Sequence, residues 1–198
     1  MNHVLKPTQK KLLSLGIFLL LFVGAFAQVK YSNKTAANLV VSGTSTLHDW
    51  DMKSVKGNCE AAVAINAAGA LTGLNGLSFS TNAAELKSGK GSMDKNAYKA
   101  LKVDKSPTIS YVAATSTISP INGTDYLVRT NGKLTIAGAT LDAEVTATCK
   151  VNADKSITVM GSKKLSMKEF GMVPPSFMMG TIKTGNDVTL KFDFTLNK

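Results

Sequence analysis

Apolar and polar side chains alternate along most of the chain after residue 28, and this pattern restricts the fold more than any other feature. Near the carboxy terminus, Val188, Leu190, Phe192, Phe194 and Leu196 alternate with polar residues. A period of two places successive side chains on opposite faces of a strand, so one face is buried and the other meets water. This pattern predicts eight strands, at residues 38–50, 55–65, 74–84, 108–118, 126–136, 141–151, 156–167 and 188–196.

Turn residues separate these strands, and one segment has a helical pattern. We predict turns at Asn75-Gly76, at Asn122-Gly123 and at residues 185–187, because Asn and Gly favour tight turns. Eight antiparallel strands joined by short turns favour an all-β, up-and-down barrel like that of a lipocalin, since closure removes edge strands. A two-sheet sandwich is the alternative. One short helix is predicted at residues 92–103, with Met93, Ala97, Ala100 and Leu101 on its buried face.

Composition limits the number of domains and the kinds of site. The chain has 198 residues, of which 44% are hydrophobic and 18% charged. These values suit one folded domain with a buried core. Of the two histidines, only His48 lies outside the amino-terminal segment described next. A single histidine cannot build a three-histidine zinc site or a two-histidine iron site, and we predict no metal and no cofactor.

The amino terminus has the pattern of an export signal. A lysine-containing segment precedes an apolar stretch at residues 12–27, which ends in Ala25-Phe26-Ala27. A small-x-small ending fits signal peptidase, so we predict a signal peptide at residues 1–27 with cleavage before Gln28. The domain at residues 28–198 is then expected to be periplasmic or secreted. An uncleaved anchor is the alternative.

Charge indicates which partners to expect. Removal of the signal leaves 20 basic and 13 acidic side chains, a formal charge of +7. A domain with this charge is expected to contact anionic membrane surfaces weakly. No basic run is interleaved with aromatic residues, so we expect no nucleic acid partner.

The interior of an eight-stranded barrel is just wide enough to be filled by side chains or to hold one ligand. Small residues on the inward face favour an apolar tunnel. Bulky residues elsewhere on the wall favour a lumen filled by its own side chains, and the pattern alone leaves both open. The small inward residues are Gly57, Cys59, Ala61, Thr130, Gly132, Ala143, Ala147 and Cys149.

Four motifs in a fixed order resemble those of a known family. They are VSGTSTLHDW at residues 41–50, the segment at 92–111, GKLTIAG at 132–138, and the closing segment at 170–196. Together they resemble the YceI-like, polyisoprenoid-binding proteins in the form typical of Bacteroidetes, over residues 37 to 197. The chain departs from this pattern at Ser92-Met93-Asp94, where many relatives carry an Arg-Asp pair.

The resemblance implies a lipocalin-like barrel that is exported and is not an enzyme. Its tunnel would sequester or carry an isoprenoid or another long-chain amphipathic lipid, such as a fatty acid. His48 is the predicted contact for the headgroup. The predicted wall residues are Leu39, Val41, Leu47, Val63, Phe79, Tyr111, Leu134, Ile136, Val145, Phe192 and Phe194, and the predicted mouth or lid residues are Met93, Phe170, Phe177 and Met178.

Other functions are also compatible with the sequence. Five methionines at positions 160, 167, 172, 178 and 179 could bind Cu(I) through their thioethers, as in a copper or stress-response protein. A filled barrel would act through its outer surface as an interaction module. Catalysis is disfavoured because His48 and Asp49, as neighbours on a strand, point to opposite faces.

The two cysteines, Cys59 and Cys149, fall on apolar faces of the second and sixth predicted strands. In an up-and-down barrel those strands lie across the lumen from each other. A disulfide needs Cα atoms within about 7 Å, so we predict free, buried thiols.

Overall fold

A computed structural model describes residues 28–33 and 36–198; the predicted signal peptide lies outside the described residues. The fold is an antiparallel sheet with one α-helix, α1 (Gly91–Ala100), and three short 3₁₀ turns, Ala83–Glu85, Lys168–Phe170 and Met178–Gly180. The strands are β1 (Val29–Ser32), β2 (Asn38–Ser45), β3 (Trp50–Ser54), β4 (Asn58–Ile65), β5 (Leu71–Asn82), β6 (Thr108–Asn122), β7 (Asp125–Ile136), β8 (Ala139–Val151), β9 (Ile157–Ser166), β10 (Ser176–Phe177) and β11 (Ile182–Leu196).

Ten of the eleven strands group into eight long runs. Strand β1 pairs with β4, with Ser32 opposite Glu60, and β2 pairs with β3, with Leu39 opposite Ser54. The two pairings differ in register by one residue, so β1–β2 and β3–β4 form one long hairpin that is interrupted halfway. Strand β10 has two residues and pairs only with the start of β11. The prediction of eight antiparallel strands is therefore confirmed at this level.

The pairings follow the chain and return to their start. Strands β4 to β9 pair in sequence order, β9 pairs with β11, and β11 pairs with β2. A further bridge joins Ser32 to Asn197, beyond the end of β11. The first and last runs are thus neighbours, which gives the predicted barrel-like, up-and-down order. The sandwich alternative is wrong, because one continuous sheet carries these strands.

Three predicted boundaries are wrong, for local reasons. The first predicted strand extends to Trp50, but residues 46–49 form a turn and Trp50 begins β3. Asn75-Gly76 is not a turn: the register of β5 against β4 shifts there, and Gly76 has φ +56°. Residues 185–187 likewise form an irregularity inside β11, between Thr184 and Val188. Asn-Gly and Gly-Asn favour bulges as well as turns, since both need unusual backbone angles.

The helix lies at one end of the barrel. It starts one residue before the predicted helix and ends at Ala100, because residues 101–105 continue as turns. Leu101 and Ala100 pack against a core cluster that contains Tyr111, Ile136 and Phe170. A second cluster around Cys59 and Cys149 occupies the other end. Across residues 28–33 and 36–198, no helix is long and apolar enough to cross a bilayer.

Gly132 allows two strands to approach closely. A Cβ atom at this position would lie 2.7 Å from Ala113 Cα and would also meet the carbonyl oxygen of Val112. We expect Gly132→Ala to destabilise the fold by about 1 to 3 kcal/mol, since backbone atoms must shift to make room. Gly91→Ala is the matched control, because a Cβ there meets no atom within 4 Å. Urea denaturation compares the two, and equal midpoints would contradict the prediction.

Candidate functional site: an apolar cavity in two chambers

The barrel encloses a large apolar chamber next to the helix. Its volume is about 290 Å³, near the lower end of the range for small-molecule pockets. Most lining residues are aliphatic, aromatic or methionine, and the polar ones are Ser45, His48, Thr81, Lys90, Ser166 and Thr184. The structure therefore favours an apolar lumen with free space over a lumen filled by the protein's own side chains.

A second, smaller chamber lies deeper in the barrel. Its volume is about 120 Å³, and its lining includes Cys59, Val63, Val128, Cys149 and Phe194. Phe79, Leu165 and Leu190 line both chambers. These three side chains therefore form the partition between the chambers, and we call them the partition residues.

Strand periodicity explains why these side chains point inward. In β11, Val188 and Leu190 line the large chamber, while Phe192, Phe194 and Leu196 line the small one. Leu190 lies at the partition. The outward positions between them, such as Lys191 and Asp193, are exposed. One strand thus contributes to the whole length of the cavity.

The helix covers the large chamber with the face that the sequence predicted. Met93, Ala97, Ala100 and Leu101 all line this chamber. Asp94 points elsewhere: its carboxylate accepts hydrogen bonds from the backbone N–H and the hydroxyl of Ser88, at 2.8 and 2.6 Å. These bonds lower the pKa of Asp94, led by the one from the Ser88 side chain. Asp94 therefore fixes the loop before the helix and does not line either chamber.

Two loops form the mouth of the large chamber. The Thr46 N–H donates to the Lys183 carbonyl at 3.0 Å, and the Thr184 N–H donates to the Pro175 carbonyl at 3.0 Å. The β2–β3 turn is thereby joined to the segment before β11. Leu47 and His48, both exposed, line the chamber from this turn.

Among the residues that the structure describes, no carboxylate contacts His48. Its Nδ1 lies 2.7 Å from the backbone carbonyl oxygen of Asp49, so Nδ1 is the donor in this contact. The side chain of Asp49 is not involved in this contact; both residues lie in the turn before β3, so the predicted separation on opposite faces of a strand is not the reason. The arrangement places an imidazole at the mouth without the oriented base of a catalytic pair.

The two hydroxyl groups that line the small chamber, those of Tyr111 and Thr130, are hydrogen-bonded within the protein. The Tyr111 hydroxyl donates to Thr130 Oγ1 at 2.9 Å, and Thr130 Oγ1 in turn donates to the Val145 carbonyl at 3.3 Å. Burial raises the pKa of Tyr111. Because these groups already have partners, the chamber offers a ligand a mainly apolar surface.

Both cysteines are free and buried in the wall of the small chamber. Burial raises the pKa of each thiol to about 12, and the Cys149 thiol adds to the shift at Cys59. The thiols are therefore protonated at neutral pH. Neither has the thiolate character that a nucleophile or a metal ligand requires.

The structure brings together nearly all the residues predicted to contact the ligand. One group surrounds the large chamber, a second surrounds the small one, and Phe79 belongs to both. Met178 alone lines neither chamber, since its side chain is 74% exposed outside the mouth. The large chamber is lined by Leu39, Val41, Leu47, His48, Phe79, Met93, Ile136, Phe170 and Phe177, and the small chamber by Val63, Phe79, Tyr111, Leu134, Val145, Phe192 and Phe194.

The methionine cluster does not form one site. Met167 and Met172 are buried against the large chamber. Met160 is exposed on β9, and Met178 and Met179 are exposed beyond the mouth. Within the part of the chain that the structure describes, no group of three or more His, Cys, Asp or Glu side chains could hold a metal ion. Two of the five thioethers, those of Met167 and Met172, belong to the chamber wall, and the other three lie outside both chambers.

The sequence pattern does not identify several of the lining residues. Trp50 and Met52 line the large chamber from β3, which was not predicted as a separate strand. Val188 and Leu190 were in the alternating pattern but were not assigned to the wall. Pro175 and Ile182 come from the irregular segment around β10, where no periodic signal exists. Only the strand residues had a signal that could have identified them.

An antiparallel barrel with an internal apolar cavity defines the class of small lipocalin-like binding domains. The YceI-like domain family matches residues 24–196, and the chain belongs to this family. A comparison with curated protein sequences gives no match.

Solved structures agree with this assignment at the level of the fold. BcnA of Burkholderia cenocepacia aligns with a TM-score of 0.61 and 16% identity, over 80% of this chain and 95% of that one. A polyisoprenoid-binding domain of Saccharophagus degradans, implicated in plant cell wall breakdown, aligns with a TM-score of 0.60 and 11% identity, over 84% and 97%. A YceI protein of Campylobacter jejuni aligns with a TM-score of 0.51 and 18% identity, over 73% and 86%.

Proposed function

We propose that the protein is an exported, non-enzymatic binding protein that sequesters or carries an isoprenoid or another long-chain amphipathic lipid. The observation that carries this proposal is the apolar chamber of about 290 Å³, open at the mouth and continued by a smaller chamber. The polyisoprenoid-binding domain with a similar fold supports the ligand class. The predicted signal peptide supports export to the periplasm or the exterior.

The binding energy comes from burial of hydrocarbon. Burial of about 400 Å² of the lipid's hydrocarbon surface, at ~25 cal/mol per Å², contributes about 10 kcal/mol of binding free energy before the ordering costs of binding. The chamber wall supplies mainly apolar atoms for this contact. A polar headgroup then remains near an opening, where water solvates it. This division favours an amphipathic ligand over a wholly polar one.

Native mass spectrometry tests the proposal directly. We expect the purified protein to carry a lipid of defined mass, which organic extraction removes. The extracted protein should then bind a fluorescent polyene fatty acid or farnesol. A protein that is consistently empty and that binds neither probe would overturn the carrier proposal and favour an interaction module.

Partly filling the large chamber should weaken ligand binding. Ala97 lies on the chamber side of α1, and a phenylalanine there would occupy space that the ligand needs. We expect Ala97→Phe to lower affinity for farnesol by at least about tenfold, because hydrocarbon contacts are replaced by the protein's own ring. Fluorescence displacement measures the effect. Ala114→Phe, on an exposed position of β6, is the control and should bind like the unmodified protein.

A further inference from the structure

The barrel wall is split between β8 and β9. Their ladder covers only the rungs from Ala147–Gly161 to Val151–Ile157. Beyond the Ala147–Gly161 rung, β8 stays paired with β7 and β9 stays paired with β11, but the two strands no longer pair with each other. The 3₁₀ turn Lys168–Phe170 packs on β8 at the far end. These limits define a side slit in the wall.

Burial of the inward side chains changes at the same place. Along the paired part, Ala147, Cys149, Val151, Ile157 and Val159 are buried. Along the unpaired part, the inward residues become half-buried, although most of them remain apolar. They are Leu141, Ala143, Val145, Lys163 and Leu165. The inward side chains along the unpaired part are therefore more accessible to solvent than those along the paired part.

Lys163 is the inward-facing charged residue at this slit, whereas Asp142 and Glu144 of β8 are exposed on the outer face. In β9, Val159, Gly161, Lys163 and Leu165 share the inward face, whereas Ser162 and Lys164 are exposed on the outer face. Lys163 also lines the small chamber. Among residues 28–33 and 36–198 it has no ion pair, and neither chamber has an aspartate or glutamate in its lining. A lysine can keep its stem in the apolar chamber while its ammonium group reaches the slit.

We propose that the side slit holds the anionic headgroup of the ligand and that Lys163 pairs with it. This inference rests on the proposed lipid-binding function and narrows the ligand to an amphiphile with a carboxylate or phosphate group. From a headgroup at Lys163, the hydrocarbon chain of the ligand can enter either chamber, because Leu165, two residues further on the same face of β9, lines both. An ammonium group at the edge of an apolar chamber favours an anion over an uncharged group.

Matched probes separate this inference from the proposed function. The probes are a long-chain fatty acid, the alcohol of the same chain and the corresponding alkyl phosphate, each titrated into extracted protein. Lys163→Met keeps the apolar stem and removes the charge. We expect it to weaken acid or phosphate binding about tenfold and to leave alcohol binding unchanged. Lys164→Met, the adjacent outward residue, is the control and should change neither.

Each outcome decides the question. A selective loss for the acid supports a carboxylate headgroup, and a selective loss for the alkyl phosphate supports a phosphate. Equal loss of alcohol and acid in Lys163→Met, or no loss of either, overturns the inference but leaves the carrier function in place. Loss of acid preference in His48→Gln instead of Lys163→Met also overturns it, since the headgroup would then be at the mouth. No binding of any probe by the unmodified protein overturns the carrier function and the inference together.

Discussion

Replacing Phe79 by alanine should lengthen the longest uncharged chain that the protein can hold. Phe79 lines both chambers, so its ring stands between a space of about 290 Å³ and one of about 120 Å³. The smaller space corresponds to roughly four water-sized groups at about 30 Å³ each, and a methylene group is of similar size. We therefore expect the optimum in a series of linear alcohols to move by about four methylene groups or more.

The ring of Phe79 is held where it blocks the passage. It stacks against Phe194 with ring centroids 6.3 Å apart. A Cβ atom at Gly57 would lie only 2.8 Å from the ring, so the ring fills the space above that glycine. Because the surroundings fix the ring on both sides, its removal should join the chambers rather than be compensated by rearrangement.

Without ligand, Phe79→Ala should also be less stable than the unmodified protein. Phenylalanine-to-alanine changes in cores cost about 3 to 5 kcal/mol, and Phe79 is half-buried, so we expect a loss of about 2 to 4 kcal/mol. Phe177→Ala is the matched control: Phe177 lines only the large chamber. Phe177→Ala should weaken the binding of all the linear alcohols without changing the chain length that binds best. An unchanged optimum in Phe79→Ala, with folding verified by circular dichroism, would contradict the partition.

Strand periodicity made most of the fold and of the chamber wall predictable. The alternation in β11 and β8 identifies inward residues such as Phe192, Phe194 and Val145 from the amino-acid sequence alone. The reason is physical: a strand with one buried face must place every second side chain inside. The helix was predictable for the same reason, since Met93 and Ala97 lie one turn apart on its apolar face.

Features that depend on non-local pairing were not predictable. The turn at residues 46–49, which separates β2 from β3, lies inside a segment predicted as one strand, so Trp50 and Met52 were not assigned to the wall. The side slit arises because β8 and β9 separate after the Ala147–Gly161 rung, and nothing local in either strand marks that rung. Lys163 is consequently indistinguishable, in the sequence, from the many surface lysines. The alternation of side chains along β9 explains why Lys163 points inward. Its partial exposure follows from the separation of β8 from β9 at this position.

Raising the pH above about 9 should destabilise the protein through its two buried thiols. Cys59 and Cys149 have a pKa of about 12 in the fold, against an ordinary value of 9.0. The unfolded chain therefore loses these protons first as pH rises. The stabilising contribution of the protonated thiols is complete below pH 9 and is lost progressively between about pH 9 and pH 12.

The expected effect is large because both thiols are deeply buried. A pKa difference of one unit corresponds to about 1.4 kcal/mol, so each thiol lowers the free energy of unfolding by about 2 kcal/mol at about pH 10.5. Burial also raises the pKa of Tyr31 and Tyr111, so the tyrosines add to the loss in the same direction. Urea denaturation from pH 7 to pH 10.5 measures the total.

A double variant isolates the share of the thiols. Cys59→Ala with Cys149→Ala should start from a lower stability at pH 7, because two side chains are removed from the core. Its further loss on going to about pH 10.5 should be smaller than that of the unmodified protein by about 4 kcal/mol, the share of the two thiols. Val63→Ala weakens the same chamber but keeps both thiols, so it should retain the full pH dependence. If all three proteins lose stability equally with pH, the thiols are not protonated by burial, and the small chamber is wetter than its apolar lining requires.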